Sequence, residues 1–232
     1  MTAPILITGG AQRLGLAIAQ DLLSNNHSVI ITYRTKKPSV DELIELGAIA
    51  IQADFATDEG IQNFIYSLKL STPSLRAIIH NASDWDSEKS DSNLSELFTK
   101  MMQVHASAPY QINMSCESLL EQKSDIIHMT DYVQDKGSKK HIAYAASKAA
   151  LHNLTLSFAA KLAPHTKVNS IAPSLLMFNE DDSESYKNKA LAKSLLETCP
   201  GAIEAVKAVN YVLNSEYITG QVIHLNGGRH LK

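Results

Sequence analysis

The sequence predicts one doubly wound α/β domain over residues 1–232, a mainly parallel, seven-stranded sheet with helices on both faces. Three observations predict it. Seven short apolar runs recur along the chain, with helical stretches between them. The runs are continuously apolar and lack clean alternation, as expected of strands buried on both faces of a parallel sheet. No linker, charge block, low-complexity run or internal repeat divides the 232 residues.

The predicted strands are "PILIT" (4–8), "SVIITY" (28–33), "AIAIQAD" (48–54), "RAIIHN" (76–81), "DIIHMT" (125–130), "KVNSIAP" (167–173) and "QVIHLN" (221–226). Helical patterns occupy 14–25, 39–46, 58–70, 93–121, 143–163 and 201–214. Strand–helix alternation implies right-handed crossovers.

Composition excludes several classes. A net charge of -3 argues against a nucleic-acid surface. Two cysteines, Cys116 and Cys199, make no metal or redox motif and suit a reducing cytoplasm. The N-terminus reads as a core strand and not a signal peptide. No apolar run approaches the roughly 18 residues a membrane span needs. The histidines lack ligand spacing with a carboxylate, so no metal site is expected.

Ligands of doubly wound sheets sit beyond the carboxyl ends of the strands. The first strand is followed by "TGGAQRLG", residues 8–15, which opens a helix. Glycines such as Gly9 let backbone approach a pyrophosphate, and the helix starting at Leu14 offers amides and a positive dipole. After the second strand comes Arg34, where a carboxylate would select NAD. A guanidinium there holds a 2′-phosphate instead, so the expected cofactor is NADPH. Lys36 and Lys37 read more simply as a solvated basic turn. Asp54 ends the third strand and either accepts from an adenine amino group or caps the next helix. Asn81 follows the fourth strand and can bridge backbone groups at the cofactor's edge. Trp85, the only tryptophan, fills the core or forms an aromatic plate at the pocket mouth.

Tyr144 and Lys148 are four residues apart in a helical segment and share a face. A phenol is a poor acid–base group at neutral pH, its pKa being about 10. A cation one turn away, beside an oxidised nicotinamide, favours the phenolate and makes the pair a usable proton relay.

At this point the motifs resemble a known family. "TGGAQRLG", "NAS", "YAASK", "NSIAPS" and "TGQVIHLNGG" occur in the order and spacing of the short-chain dehydrogenases/reductases and cover nearly the whole chain. The chain is most similar to that family's pteridine reductase branch. The resemblance implies a Rossmann-type domain, a cytoplasmic location and a tetramer built on the long helices. It also implies NADPH-dependent reduction of a dihydropterin, with dihydrofolate a weaker substrate. Tyr144 and Lys148 match the catalytic pair. Asp131 stands where most members have serine, which suits protonation of a ring nitrogen better than an oxyanion. Trp85 matches an aromatic that sandwiches the pterin against the nicotinamide. Ser83 matches a contact to cofactor or pterin, and Pro173 and Ser174 match cofactor contacts. Arg13 matches an arginine of that branch. It either walls the pterin pocket or stays exposed and neutralises phosphate. His105 replaces the usual asparagine, as a relay group or as a satisfied buried histidine. The acidic run 179–185 is a closing lid or a solvated loop, with Met177 and Phe178 before it placed to touch the pterin. Alternative readings are a carbonyl or 3-oxoacyl reductase and a non-catalytic NADPH-binding protein.

Overall fold

A computed structural model describes residues 2–89 and 93–232. β1 (Ile5–Thr8) passes through the glycine turn into α1 (Arg13–Ser24). β2 (Val29–Tyr33), α2 (Pro38–Glu45), β3 (Ile49–Gln52), α3 (Asp58–Ser71) and β4 (Leu75–His80) follow. Then come α4 (Leu94–Met102), α5 (Ala108–Cys116), β5 (Leu120–Met129), the one-turn α6 (Val133–Lys136) and α7 (Ile142–Leu162). β6 (Thr166–Pro173), α8 (Glu184–Leu191), α9 (Ile203–Asn214) and β7 (Val222–Leu225) complete the chain. The sheet order is β3-β2-β1-β4-β5-β6-β7, and every neighbouring pair is parallel. The Rossmann-type prediction holds. The order reverses between β1 and β4, which opens a crevice at their carboxyl ends.

Alternation along each strand feeds two cores. Ile5 and Ile7 of β1, with Ala77 and Ile79 of β4, pack against α1 and α9 through Ile18, Leu22 and Val209. Leu6 and Ile78 face the other way, onto Phe64 of α3, Ile112 of α5 and Phe158 of α7. Both faces are thus covered, which explains the continuously apolar runs.

Several buried polar groups are paired, whereas the Gln134 side-chain amide and the Ser170 hydroxyl have no hydrogen-bond partner among the described residues. Asp125 of β5 is fully buried, and Arg76 and Lys167 from the flanking strands each approach it to 2.6 Å. His80 and His128 lie side by side on β4 and β5 and share Asn113, at 2.7 and 3.3 Å. Burial pushes the His80 pKa down to about 4, so this pair is neutral at ordinary pH.

Three departures from the sequence reading have physical reasons. The expected helix 93–121 is interrupted by a π-helical turn, Gln103–Ser107, and ends at Cys116. A π turn is a single wide turn inside an otherwise helical pattern, and the residue types over its five positions do not set it apart from an α turn. β5 begins at Leu120, five residues before the apolar run, because its first half is polar; there Glu121 accepts from the Ser74 hydroxyl and Ser124 bonds the Thr166 hydroxyl. The acidic run leads into a helix, α8, whose N-cap Ser183 accepts a bond from the Tyr186 amide. Other boundaries shift by one or two residues.

Gly15 fixes how closely α1 meets the sheet. A Cβ there would lie 2.3 Å from the Gly9 carbonyl oxygen and 2.6 Å from Asn81 Nδ2. Gly15→Ala is expected to destabilise the protein by about 1–3 kcal/mol. A thermal melt checks it, and an unshifted Tm contradicts this packing.

Candidate active site

The glycine turn is built by hydrogen bonds from two strands. Gly9 has φ +65°, and its amide donates to Thr32 Oγ1 of β2. A Cβ on Gly9 would sit 2.9 Å from Ala82 Cα, so only glycine fits between the turn and the end of β4. Thr8 Oγ1 accepts from the amides of Asn81 and Ala82, and Asn81 Nδ2 returns bonds to the carbonyls of Thr8 and Gly9. Asn81 therefore bridges the backbone of the turn, as expected. Gln12 is the N-cap of α1, but no side chain caps its first turn. Those amides form an anion seat at the crevice.

Beside them lies a cleft of about 390 Å³. Gly9, Arg13, Leu14, Arg34, Asp54, Asn81 and Ser83 all line it. The structure brings these seven sequence-predicted residues together along one cleft. Asp54 also accepts from the Ala56 amide through Oδ1, a local turn and not the cap of α3, which is Thr57.

Arg13 answers why an arginine sits in a glycine turn. Its φ is +50°, the left-handed region in which glycine is at ease. Its guanidinium reaches across to Asn179 Oδ1 at 2.7 Å and the Met177 carbonyl at 3.2 Å. The side chain thus spans from the first turn to the segment after β6.

Asp84 was not singled out from sequence, yet it is the electrostatic node of the cleft. Its Oδ2 pairs with Arg34 at 3.1 Å and with Lys100 at 2.9 Å, and its Oδ1 accepts the Trp85 amide at 2.9 Å. Burial works to raise its pKa. The bonds from Lys100, Arg34 and the Trp85 amide outweigh that and hold the carboxyl below its usual range.

The acid–base group lies past Ser83. Tyr144 on α7 donates to Asp131 Oδ2 at 3.0 Å, so the predicted pair of Tyr144 and Asp131 is in contact. Lys148 is buried on the same helix and donates to the Met129 carbonyl at 2.9 Å. It meets the face of the Tyr144 ring, 5.7 Å from the centroid, and not its oxygen. Burial, the Asp131 charge and the Asp131 bond all raise the Tyr144 pKa well above its ordinary value. Burial also raises Asp131, partly offset by the Val133 amide and Lys148. Burial lowers Lys148 to about 8, although Asp131 opposes it. In the free protein the pair therefore holds its proton tightly and Tyr144 is a phenol.

His105 sits in the π turn and is buried. Its Nε2 meets Ser83 Oγ at 2.8 Å and the Asp84 amide at 3.2 Å, while Nδ1 meets Ser147 Oγ at 2.8 Å. The amide can only donate, so Nε2 is the acceptor and the network assigns the proton to Nδ1. Ser147 passes its own proton to the Tyr144 carbonyl at 2.7 Å. Burial, then Lys148, keeps the imidazole pKa well below the ordinary value. His105 is thus a neutral clamp, the satisfied buried histidine of the two alternatives.

Other predicted residues are placed elsewhere. Trp85 is 65% exposed and stacks on His141, ring centroids 4.3 Å apart. It does not line the cleft, and neither core filling nor contact with the cleft describes it. Ser174 lines a second cavity of about 310 Å³, beside β7, and its amide is held by the Leu225 carbonyl. The Pro173 carbonyl accepts from Tyr132. Phe178 packs edge-on to Tyr186 of α8 at 6.5 Å. Glu88, missed from sequence, caps α7 by accepting from the amides of Ile142 and Ala143. Nothing in the sequence couples a loop glutamate to a helix 54 residues later. Among the described residues there is no His/Cys/Asp/Glu group that suits a metal ion, and no helix is long and apolar enough to cross a membrane.

A family model described as Enoyl-(Acyl carrier protein) reductase matches residues 9–230. The dihydromonapterin reductase of Citrobacter koseri is 52% identical, over 99% of this chain and 97% of its own. That of Klebsiella pneumoniae is 53% identical over the same shares. Among solved structures, FolM alternative dihydrofolate reductase 1 from Brucella canis, complexed with NADP, is similar with a TM-score of 0.89 and 28% identity. That similarity covers 100% of this chain and 95% of that one. With a family model matched from the glycine turn almost to the C-terminus, and relatives identical at half their positions, the chain belongs to the short-chain dehydrogenase/reductase family.

Proposed function

We propose that this protein reduces 7,8-dihydromonapterin to the tetrahydro form with NADPH, and dihydrofolate more weakly. The observation that carries the reading is Asp131, not serine, bonded at 3.0 Å to Tyr144. A carboxyl–phenol pair suits protonation of a ring nitrogen and repels a carbonyl oxyanion. The names of the bacterial relatives support the same substrate.

The residues present fit a dinucleotide. The uncapped start of α1 and the side-chain-free approach at Gly9 seat a pyrophosphate. Arg34 reads the 2′-phosphate, and Asp54 accepts from the adenine. Leu14 packs at the start of α1, and Pro173 and Ser174 flank the nicotinamide end. Tyr144 and Lys148 hold the nicotinamide ribose.

Reducing a C=N bond needs a hydride on carbon and a proton on nitrogen. Bound NADPH supplies the hydride. The protein positions the ring and supplies the proton. Arg13 donates to the pterin, Met177 and Phe178 close over it when the segment after β6 moves in, and Trp85 offers its ring from the segment after β4. The Asp131–Tyr144 pair delivers the proton to nitrogen, directly or through a water. Burial raises the pKa of both groups, so Tyr144 keeps its proton until the nitrogen gains basicity as the hydride arrives. Exposed Tyr110, Met114 and Leu156 on α5 and α7 support self-association, in a tetramer, through this face.

Loss of NADPH absorbance with dihydromonapterin, dihydrofolate and a ketoacyl thioester tests the substrate class. The pterin is expected to turn over fastest, and turnover of the thioester alone rejects the reading. Tyr144→Phe is expected to lower kcat by roughly 10²–10⁴-fold while NADPH still binds. Unchanged turnover removes Tyr144 from the chemistry. Because burial depresses Lys148 to about 8, its charge is present below that pH and lost above it. The kcat/KM profile is therefore expected to fall above about pH 8, and Lys148→Met to flatten that limb at a lower rate. A profile that stays level well above that point contradicts the role. Arg13→Gly is expected to keep or raise Tm, since glycine accepts the positive φ, yet to raise KM for the pterin. An unchanged KM leaves Arg13 without a substrate contact.

A further inference from the structure

We propose that Asp84 is a cofactor-specificity residue that acts through Arg34. Its carboxylate occupies the Arg34 guanidinium in the free protein, and a 2′-phosphate takes that guanidinium from it. The inference rests on the reading of Arg34 as the 2′-phosphate site.

Four observations carry it. First, Arg34 and Asp84 both line the nucleotide cleft, and their ion pair at 3.1 Å lies within it. The anion now on Arg34 is therefore where an incoming anion must go. Second, Arg34 is 60% exposed while Asp84 is 17% exposed. The arginine is the partner free to turn toward a ligand, and the aspartate stays. Third, Asp84 is not orphaned by losing Arg34. Lys100 at 2.9 Å and the Trp85 amide at 2.9 Å still hold it. Displacement thus leaves no unpaired buried charge, and such a charge would otherwise block it. Fourth, a phosphate dianion beside a carboxylate is repelled, so one guanidinium does not serve both well.

The consequence is selective. A nucleotide without the 2′-phosphate leaves Arg34 on Asp84. One that carries it breaks the pair and removes one tie on the segment Ser83–Trp85. That segment is also held by His105, which contacts Ser83 Oγ and the Asp84 amide. So the occupant of the adenosine end changes the restraint on a segment that borders Tyr144. The protein carries its own reporter, because Trp85 is the only tryptophan and its amide is bonded to Asp84.

The test uses two probes that carry no nicotinamide, adenosine 2′,5′-bisphosphate and AMP. Affinity is read by calorimetry and the segment by Trp85 emission, with no turnover involved. In the wild type the bisphosphate is expected to bind more tightly and to shift Trp85 emission, while AMP leaves emission unchanged. Asp84→Asn is expected to tighten the bisphosphate roughly two- to fivefold, the scale of an exposed ion pair, with AMP unaffected. The emission shift should shrink. Lys100→Met should act oppositely, because Asp84 then has only Arg34 as a cation, and its effect should vanish in the Asp84→Asn background. Arg34→Ala tests the underlying reading and should erase the preference for the bisphosphate. If Arg34→Ala keeps that preference, the 2′-phosphate reading fails and this inference fails with it. If Arg34→Ala loses the preference but Asp84→Asn binds the bisphosphate no more tightly, Asp84 is not the competitor and only this inference is overturned. Should Asp84→Asn fold poorly, the sign of the Lys100→Met change alone decides, since tighter bisphosphate binding there contradicts the competition.

Discussion

The site depends on one lock, the hydrogen bonds between Thr8 at the end of β1 and Asn81 at the end of β4. Thr8 Oγ1 takes two amides, and Asn81 Nδ2 gives two bonds back to the carbonyls of Thr8 and Gly9. β1 and β4 are where the sheet order reverses, so no crossover helix ties their ends together. The ladder between β1 and β4 runs to Thr8 and His80, and these bonds extend it past the strand ends into the turn. At about 1 kcal/mol for each bond, the lock is large beside the net stability of a domain. It holds the glycine turn open to an anion and aims the chain after Asn81 along the cleft.

From Asn81 the same segment carries Ser83 and Asp84, and each is pinned by a different physics. Asp84 is pinned by charge, between Arg34 and Lys100. Ser83 is pinned by a neutral buried imidazole. His105 is placed to do this because the π turn rotates it out of the ordinary helical path of α4 and α5. Its other nitrogen reaches Ser147 and so the first turns of α7, which carries Tyr144 and Lys148. The segment is tied to that helix again by Glu88 and by the stack of Trp85 on His141. The cleft lining and the helix that carries Tyr144 and Lys148 are therefore joined by packed contacts, not merely near each other.

What the sequence made legible is local. "TGGAQRLG" and the Tyr144/Lys148 spacing declare themselves because turn and helix geometry follow from neighbouring residues. The continuously apolar strands are legible because burial on both faces leaves no polar phase. What stayed hidden is pairing across distance. Asp84 with Lys100, and Glu88 with the start of α7, are unions of segments whose meeting only the fold arranges. α8 is a different case. Ser183 followed by Glu184 is a helix-start signal, but the acidic run around it reads as solvated loop. The charge state of Tyr144 in the free protein is hidden for a related reason. Spacing places Lys148 one turn away, but only the structure shows the ammonium over the ring face and the carboxylate at the oxygen.

Arg13 joins these strands of argument. A left-handed residue with a Cβ costs roughly 1–2 kcal/mol relative to a relaxed backbone. Its two bonds, to Asn179 and the Met177 carbonyl, are solvent-exposed and return little of that. Glycine would be the more stable choice at this position, as it is at Gly9. The arginine is retained where stability alone would discard it, and strain of this kind gathers at functional sites. Its reach is the reason. Its guanidinium spans from the turn after β1 to the segment after β6, the gap in which the proposed function places the pterin. The bonds it now makes are ones a flat, hydrogen-bonding ring can replace.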